Sequence, residues 1–148
     1  MRPVKEYMLT TFHLYLILLL LLSVPSAFSQ QVSKSEKSNS LKENNKIIVV
    51  NVNTIKNKVL NKEVQFVDIR TPKEYNAGYI DDAINIGIAD KHKFTLAIQK
   101  LDKEKPVYIY CYSGWRSHRA AKLLVTLGFN KIYDFKGGYK AWSEHQKR

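Results

Sequence analysis

This 148-residue sequence holds one cysteine, Cys111. A lone thiol excludes an intramolecular disulfide framework. It also excludes a zinc or iron–sulfur site built mainly from the chain's own thiolates. Acidic groups are scarce too: 13 Asp and Glu stand against 24 Lys and Arg, a net charge of +11 with histidines neutral. The excess is spread along the chain, +1 over residues 1–29, +4 over 30–63 and +6 over 64–148, and no block of five like charges occurs. Nucleic-acid binding requires basic clusters interleaved with stacking aromatics. A dispersed excess reads instead as a solvated basic surface, with no nucleic-acid partner. His13, His92, His118 and His145 are scattered without metal-ligand spacing, so neither a metal nor a cofactor is expected. Long apolar runs are also missing. The longest, Leu14 to Val24, has eleven residues, too few to span a hydrocarbon core comfortably.

What remains suffices for about one domain. A hydrophobic content of 45% with 11% aromatics supports a packed core and argues against whole-chain disorder. Arg2 and Lys5 precede the short apolar run, Pro25 and Ser26 break it, and Ala27-Phe28-Ser29 offers small residues at the −3 and −1 positions of a cleavage site. That pattern reads as a secretory signal over residues 1–29 with Gln30 as the mature N-terminus, so a periplasmic or extracellular protein is expected. The competing reading is an uncleaved membrane anchor, since the 19 residues from Thr10 to Phe28 are weakly polar at most. No cysteine follows the run, which excludes a lipoprotein anchor there. Residues 30–45, QQVSKSEKSNSLKENN, hold only Val32 and Leu41 as strongly apolar side chains. Such a segment buries too little surface to offset the entropy of ordering it, and reads as a flexible linker.

From residue 46 onward strand and helix patterns alternate. Strands are predicted at Ile47–Val50, Gln65–Ile69, Ala83–Ile86, Pro106–Tyr110 and Lys131–Asp134. Helical spacing joins Val52, Ile55, Val59 and Leu60, then Phe94 to Leu101, then Ala120 to Leu127 closed by Gly128, and finally Tyr139 to Gln146. Thr71 and Pro72 supply a cap and a first turn for a short helix ending near Gly78. Five alternations in about a hundred residues predict an α/β fold, a mostly parallel five-stranded sheet with helices on both faces. Ligands of such sheets bind at the carboxyl ends of strands, and Cys111 sits at one.

The segment Cys111-Tyr112-Ser113-Gly114-Trp115-Arg116-Ser117 lies between strand and helix. A turn of that kind aims backbone N–H groups inward, and the helix adds the positive end of its dipole. Gly114 permits the tight path. A thiol in that cradle is favoured as thiolate, and Arg116 can hold an anionic substrate with fixed donors. The bland alternative is a buried structural cysteine. Against it, the apolar strand stops before Cys111 and the residues that follow are polar and turn-like.

These residues resemble a single-domain rhodanese, a sulfurtransferase module, over about Ile47 to Trp142. The likeness also rests on Val67-Asp68-Ile69-Arg70, Glu74-Tyr75, Gly78-Tyr79-Ile80, Ala83 to Ile86, Lys136-Gly137-Gly138 and Ala141-Trp142. Tyr79 stands where members commonly carry His, a departure read as structural. The resemblance implies a double displacement through a Cys111 persulfide. Sulfur comes from a small anion such as thiosulfate and leaves to a thiol, cyanide or protein acceptor. Arg116 is expected to bind the donor's sulfonate, and Tyr112, Ser113, Gly114, Trp115 and Ser117 to form the substrate loop. No general base is needed once the thiolate exists. Arg70 and Glu74 are expected to form a structural ion pair, with Asp68 bracing the loop. Gly137-Gly138 is read as a tight turn, Trp142 as core and His118 as a solvated first-turn residue. Related cysteine phosphatases place Arg six positions after the nucleophile. Here Arg116 comes five after Cys111, a smaller cradle suited to a single sulfur. The alternatives are a non-catalytic thiol- or protein-binding module, a phosphatase- or arsenate-reductase-like relative, and a redox protein needing a partner's cysteine.

Overall fold

The computed structural model describes residues 46–147, so the expected signal, the whole expected linker and Arg148 lie outside the described residues. The observed order is β1 (Ile47–Val50), α1 (Val52–Lys58), β2 (Gln65–Asp68), α2 (Pro72–Asn76), β3 (Ile84–Asn85), α3 (Lys91–Ile98), β4 (Val107–Tyr110), α4 (Trp115–Thr126), β5 (Ile132–Phe135) and α5 (Gly138–Gln146). The strands pair in the order β1-β5-β4-β2-β3, and every pairing is parallel. The α/β expectation therefore holds, and β4, the strand that leads into Cys111, occupies the middle of the sheet.

Side chains along β4 alternate between two cores, as the pleat requires. Val107 and Ile109 pack with Phe94, Ile98, Ala120, Ala121, Leu124 and Phe129 beneath α3 and α4. Tyr108 and Tyr110 pack on the other face with Ile55, Val59, Phe66, Phe135 and Trp142 beneath α1 and α5. All four β4 side chains are buried. That is why this strand reads as a continuous apolar run rather than an alternating one.

Local chemistry explains the element ends. Thr71 accepts the Glu74 backbone N–H while the Glu74 carboxylate accepts the Thr71 N–H, a capping box with Pro72 in the first turn. Asn51 and Asp90 cap α1 and α3 with side-chain oxygens. The strand expected over Ala83–Ile86 is only Ile84–Asn85. It is the sheet edge, paired to β2 alone, and the Ala83 N–H turns back to the Ile80 carbonyl at 3.1 Å. The fifth strand is shifted one residue, ending at Phe135 rather than Asp134, because Phe135 pairs with Val50.

The entry of α5 presses on the cysteine loop. The Tyr139 and Lys140 N–H groups donate to the carbonyls of Cys111 and Tyr112 at 2.8 and 2.9 Å. Gly138 has φ of +55°, and a Cβ there would collide with the Cys111 carbonyl. Replacing Gly138 by Ala combines left-handed strain with a backbone clash. We expect a stability loss of about 3 kcal/mol, read as a lowered denaturant midpoint with an unchanged slope.

Candidate active site

Cys111 follows Tyr110 without a break, and Gly114 caps α4 through its backbone at φ +94°. A Cβ on Gly114 would lie 3.0 Å from the Gly137 nitrogen and 3.3 Å from the Lys136 Cα. Glycine is therefore required by space as well as by dihedral angle. This curl brings the Gly114 N–H to 3.1 Å from the Cys111 Sγ. The two neighbouring peptides are fixed from outside by α5. No described peptide is cis, so where the Cys111 and Tyr112 carbonyls face α5, the Tyr112 and Ser113 N–H groups turn the opposite way. Cys111 as a residue is 1% exposed.

Arg116 stands beside the thiol in a bidentate pair with Glu74, Nη1–Oε2 at 2.9 Å and Nη2–Oε1 at 2.7 Å. Thr71 adds N–H and hydroxyl bonds to the same carboxylate at 3.0 and 2.8 Å. The Arg116 bond first, then these Thr71 bonds, hold the Glu74 pKa down to about 2. Glu74 in turn raises the Arg116 pKa, and the Cys111 sulfur adds to that rise.

Glu74 is thus a partner of the loop arginine, which corrects the expected Arg70–Glu74 pair. Arg70 binds Asp68 instead, through Nε at 2.9–3.0 Å and Nη2 at 2.5 Å, and donates to the Gly78 carbonyl at 2.7 Å. Residues two apart at a strand end share a face, whereas Glu74 sits on α2, turned toward the loop. Among the described residues no hydrogen bond or ion pair joins the Asp68 side chain to the cysteine loop. With Arg70 it forms a buried pair under the ring of Tyr139, whose centroid lies 4.1 Å from the guanidinium.

Ser117 also departs from expectation. It is buried and points away from the substrate side, its hydroxyl 2.6 Å from Asp134 Oδ1 and 3.1 Å from the Gly114 carbonyl. Asp134 Oδ2 faces His118 Nδ1 at 3.2 Å. Burial pushes the Asp134 carboxyl up, and the bonds from Ser117 and His118 pull it partly back. His118, though half exposed, is tethered rather than freely solvated. Asp134 was missed from sequence. Its signal was a carboxylate inside the apolar strand Ile132-Tyr133-Asp134-Phe135.

Tyr112, Ser113 and Trp115 are exposed around the thiol. Trp115 is 67% exposed and carries the Arg119 guanidinium 4.9 Å from its ring centroid. Tyr79 stacks on Tyr75 at 4.3 Å, and Trp142 is core. Two clefts flank the loop. One of about 280 Å³ is lined by Ile88, Lys91, Arg116, Arg119 and Leu123. The other, about 420 Å³, includes Ser113, Gly114, Trp115, His118 and Lys136. Among the described residues no group of three His, Cys, Asp or Glu side chains could hold a metal ion.

The fold is a parallel α/β domain whose one thiol lies in the loop after the central strand, at the end of a sheet of this kind where ligands bind. More particularly, the family model of the rhodanese-like domain matches residues 51–145, and the chain belongs to that family. It is 39% identical over 83 residues to the thiosulfate sulfurtransferase GlpE of Shewanella oneidensis, covering 56% of this chain and 79% of the relative. The GlpE of Coxiella burnetii is 33% identical over 87 residues, 59% of this chain and 78% of the relative. Among solved structures, a rhodanese-like domain protein from Staphylococcus aureus superposes with a TM-score of 0.56 at 32% identity, over 64% of this chain and 89% of that one.

The Glu74–Arg116 pair has a defined acid limb. The Glu74 pKa is lowered on folding, so the pair's contribution is complete above 4.5 and is lost as pH falls toward about 2. Glu74→Gln should lose about 1 kcal/mol at neutral pH. It should also flatten the stability profile across that window, as measured by denaturation at a series of pH values.

Proposed function

We propose that this chain is an exported sulfurtransferase that carries sulfur as a persulfide on Cys111. The observation that supports this most directly is the Gly114 N–H on the Cys111 Sγ, with the Arg116 cation beside it. An amide donor and a fixed cation stabilise a sulfur anion, whether thiolate or persulfide. The Cys111 thiolate attacks the outer sulfur of thiosulfate or a related donor. The donor's S–S bond breaks, sulfite leaves with the bonding pair, and Cys111 keeps an outer sulfur anion. A thiol, cyanide or protein acceptor then attacks that sulfur and releases the Cys111 thiolate. Arg116, already neutralised by Glu74, orients rather than captures the donor. The relatives named as thiosulfate sulfurtransferases support the donor class.

Export rests on the sequence of residues 1–29, and a membrane partner enters only if that segment stays uncleaved. Among the described residues no helix is long and apolar enough to cross a membrane.

Incubation of the reduced protein with thiosulfate should add the mass of one sulfur atom, and Cys111→Ser should abolish the addition. An unchanged mass of the native chain would refute the reading. N-terminal sequencing of the chain recovered outside the cytoplasm should begin at Gln30.

A further inference from the structure

The sulfur chemistry above leaves one buried carboxylate unused. Asp134 is 2% exposed, a placement that costs stability unless its oxygens are bonded. Both are bonded: Oδ1 accepts the Ser117 hydroxyl at 2.6 Å, and Oδ2 faces His118 Nδ1 at 3.2 Å. The buried Ser117 bond alone would tie α4 to β5. The second oxygen is spent on a ring that is half exposed. An ionised carboxylate only accepts hydrogen bonds, so the pairing puts the ring hydrogen on Nδ1. The basic lone pair is then on Nε2, at the edge of the ring away from Asp134. The ring lines a cleft of about 420 Å³ together with Ser113, Gly114, Trp115 and Lys136. Gly114 is the residue whose N–H lies on the Cys111 sulfur, so this cleft borders the sulfur's own cradle. The charged groups in its wall besides His118 are Asp134 and Lys136, and β1 contributes only Val49. On α4 itself the Arg119 guanidinium lies on the ring of Trp115, and Lys122 follows one turn later.

We propose that His118 is the general base of the second half-reaction, with Asp134 and Ser117 as the residues that position it. The inference rests on the persulfide reading above. Cys111 needs no base, but an acceptor that arrives with an S–H does. An ordinary thiol of pKa ~8.5 is only a few per cent thiolate at pH 7. His118 Nε2 takes the acceptor's proton, directly or through one water, as the acceptor sulfur bonds to the outer persulfide sulfur. The bond from that sulfur to Cys111 breaks, and the Cys111 sulfur keeps the electron pair as thiolate at the Gly114 N–H. The transferred sulfur leaves as an anion on the acceptor. The imidazolium then returns its proton to solvent from its half-exposed position. Asp134 fixes the ring's tautomer and faces the positive charge while it lasts. Ser117 holds Asp134, and Lys136 supplies a cation to the thiolate as it forms.

The test compares two acceptors on the persulfide-loaded full chain. 2-Mercaptoethanol must lose a proton to react, whereas sulfite attacks as an anion through a free lone pair and needs no base. His118→Gln should lower kcat/KM for 2-mercaptoethanol at pH 7 about tenfold and leave sulfite nearly unchanged. The deficit should close as pH rises through the thiol's own pKa, where solvent has already removed the proton. Asp134→Asn keeps the shape of the side chain but offers an amide N–H to His118 Nδ1, which moves the ring hydrogen to Nε2. It should reproduce the selective loss. An equal loss for both acceptors, a deficit independent of pH, or no loss at all would overturn the proposal. Nitrogen NMR of the His118 ring in the reduced, unloaded full chain tests the arrangement without any sulfur chemistry. Above the imidazole titration the native ring should carry its hydrogen on Nδ1, and Asp134→Asn should transfer it to Nε2. A hydrogen on Nε2 in the native chain would overturn the proposal even in a protein that loads normally, and would leave the transferase reading standing. Failure to take up sulfur would instead count against that reading, with the tautomer and its reversal still supporting the His118–Asp134 pair.

Discussion

The orientation of two peptide groups decides what this site can do. The carbonyls of Cys111 and Tyr112 face outward because the first N–H groups of α5 bind them. A trans peptide carries its N–H opposite its carbonyl, so those external bonds turn the Tyr112 and Ser113 amide hydrogens away from α5. Gly138 makes the arrangement possible by letting two backbones touch where any side chain would intervene. The loop's orientation is thus set in part by backbone bonds from a helix outside it. Preorganised amide dipoles of this kind stabilise charge without reorganising as it develops.

The second constraint is the use of one carboxylate for two tasks. Glu74 closes the capping box of α2 and clamps Arg116. The clamp fixes the arginine beside the sulfur, yet it removes most of the net positive charge that the arginine would otherwise offer. Lys91 on α3 and Arg119 on α4, further out, have no carboxylate partner among the described residues. The wide spread of the chain's +11 charge conceals this local division between a neutralised inner cation and unpaired outer ones.

Much of this was legible in the sequence where the determinants are local. The apolar run of β4, the Thr71-Pro72 cap and the polar turn after Cys111 each declare themselves within a few residues. The strand-helix alternation then dictates a parallel sheet. What stayed hidden was pairing across distance. Glu74 and Arg116 lie 42 positions apart, and nothing local to either says that Arg70 will prefer Asp68. The reason is geometric: Asp68 and Arg70 are held on one face of an extended backbone, while α2 swings Glu74 away. Ser117 and Asp134 were misread or overlooked for the same cause. Whether a hydroxyl on the first turn of a helix faces the ligand or the sheet depends on the neighbouring strand, and Asp134 became meaningful only when β5 was placed beside β4.

The contact between α5 and the loop also bears on the order in which the molecule is made. Chains leave the ribosome N-terminus first, and β4 with its cysteine is synthesised well before Tyr139 and Lys140. Until those two amides have emerged, the carbonyls of Cys111 and Tyr112 lack the partners that turn the loop. The thiol therefore exists for an interval without its cradle. The turn of this loop is a property that arrives late in biosynthesis, conferred by α5 rather than by the segment that contains it.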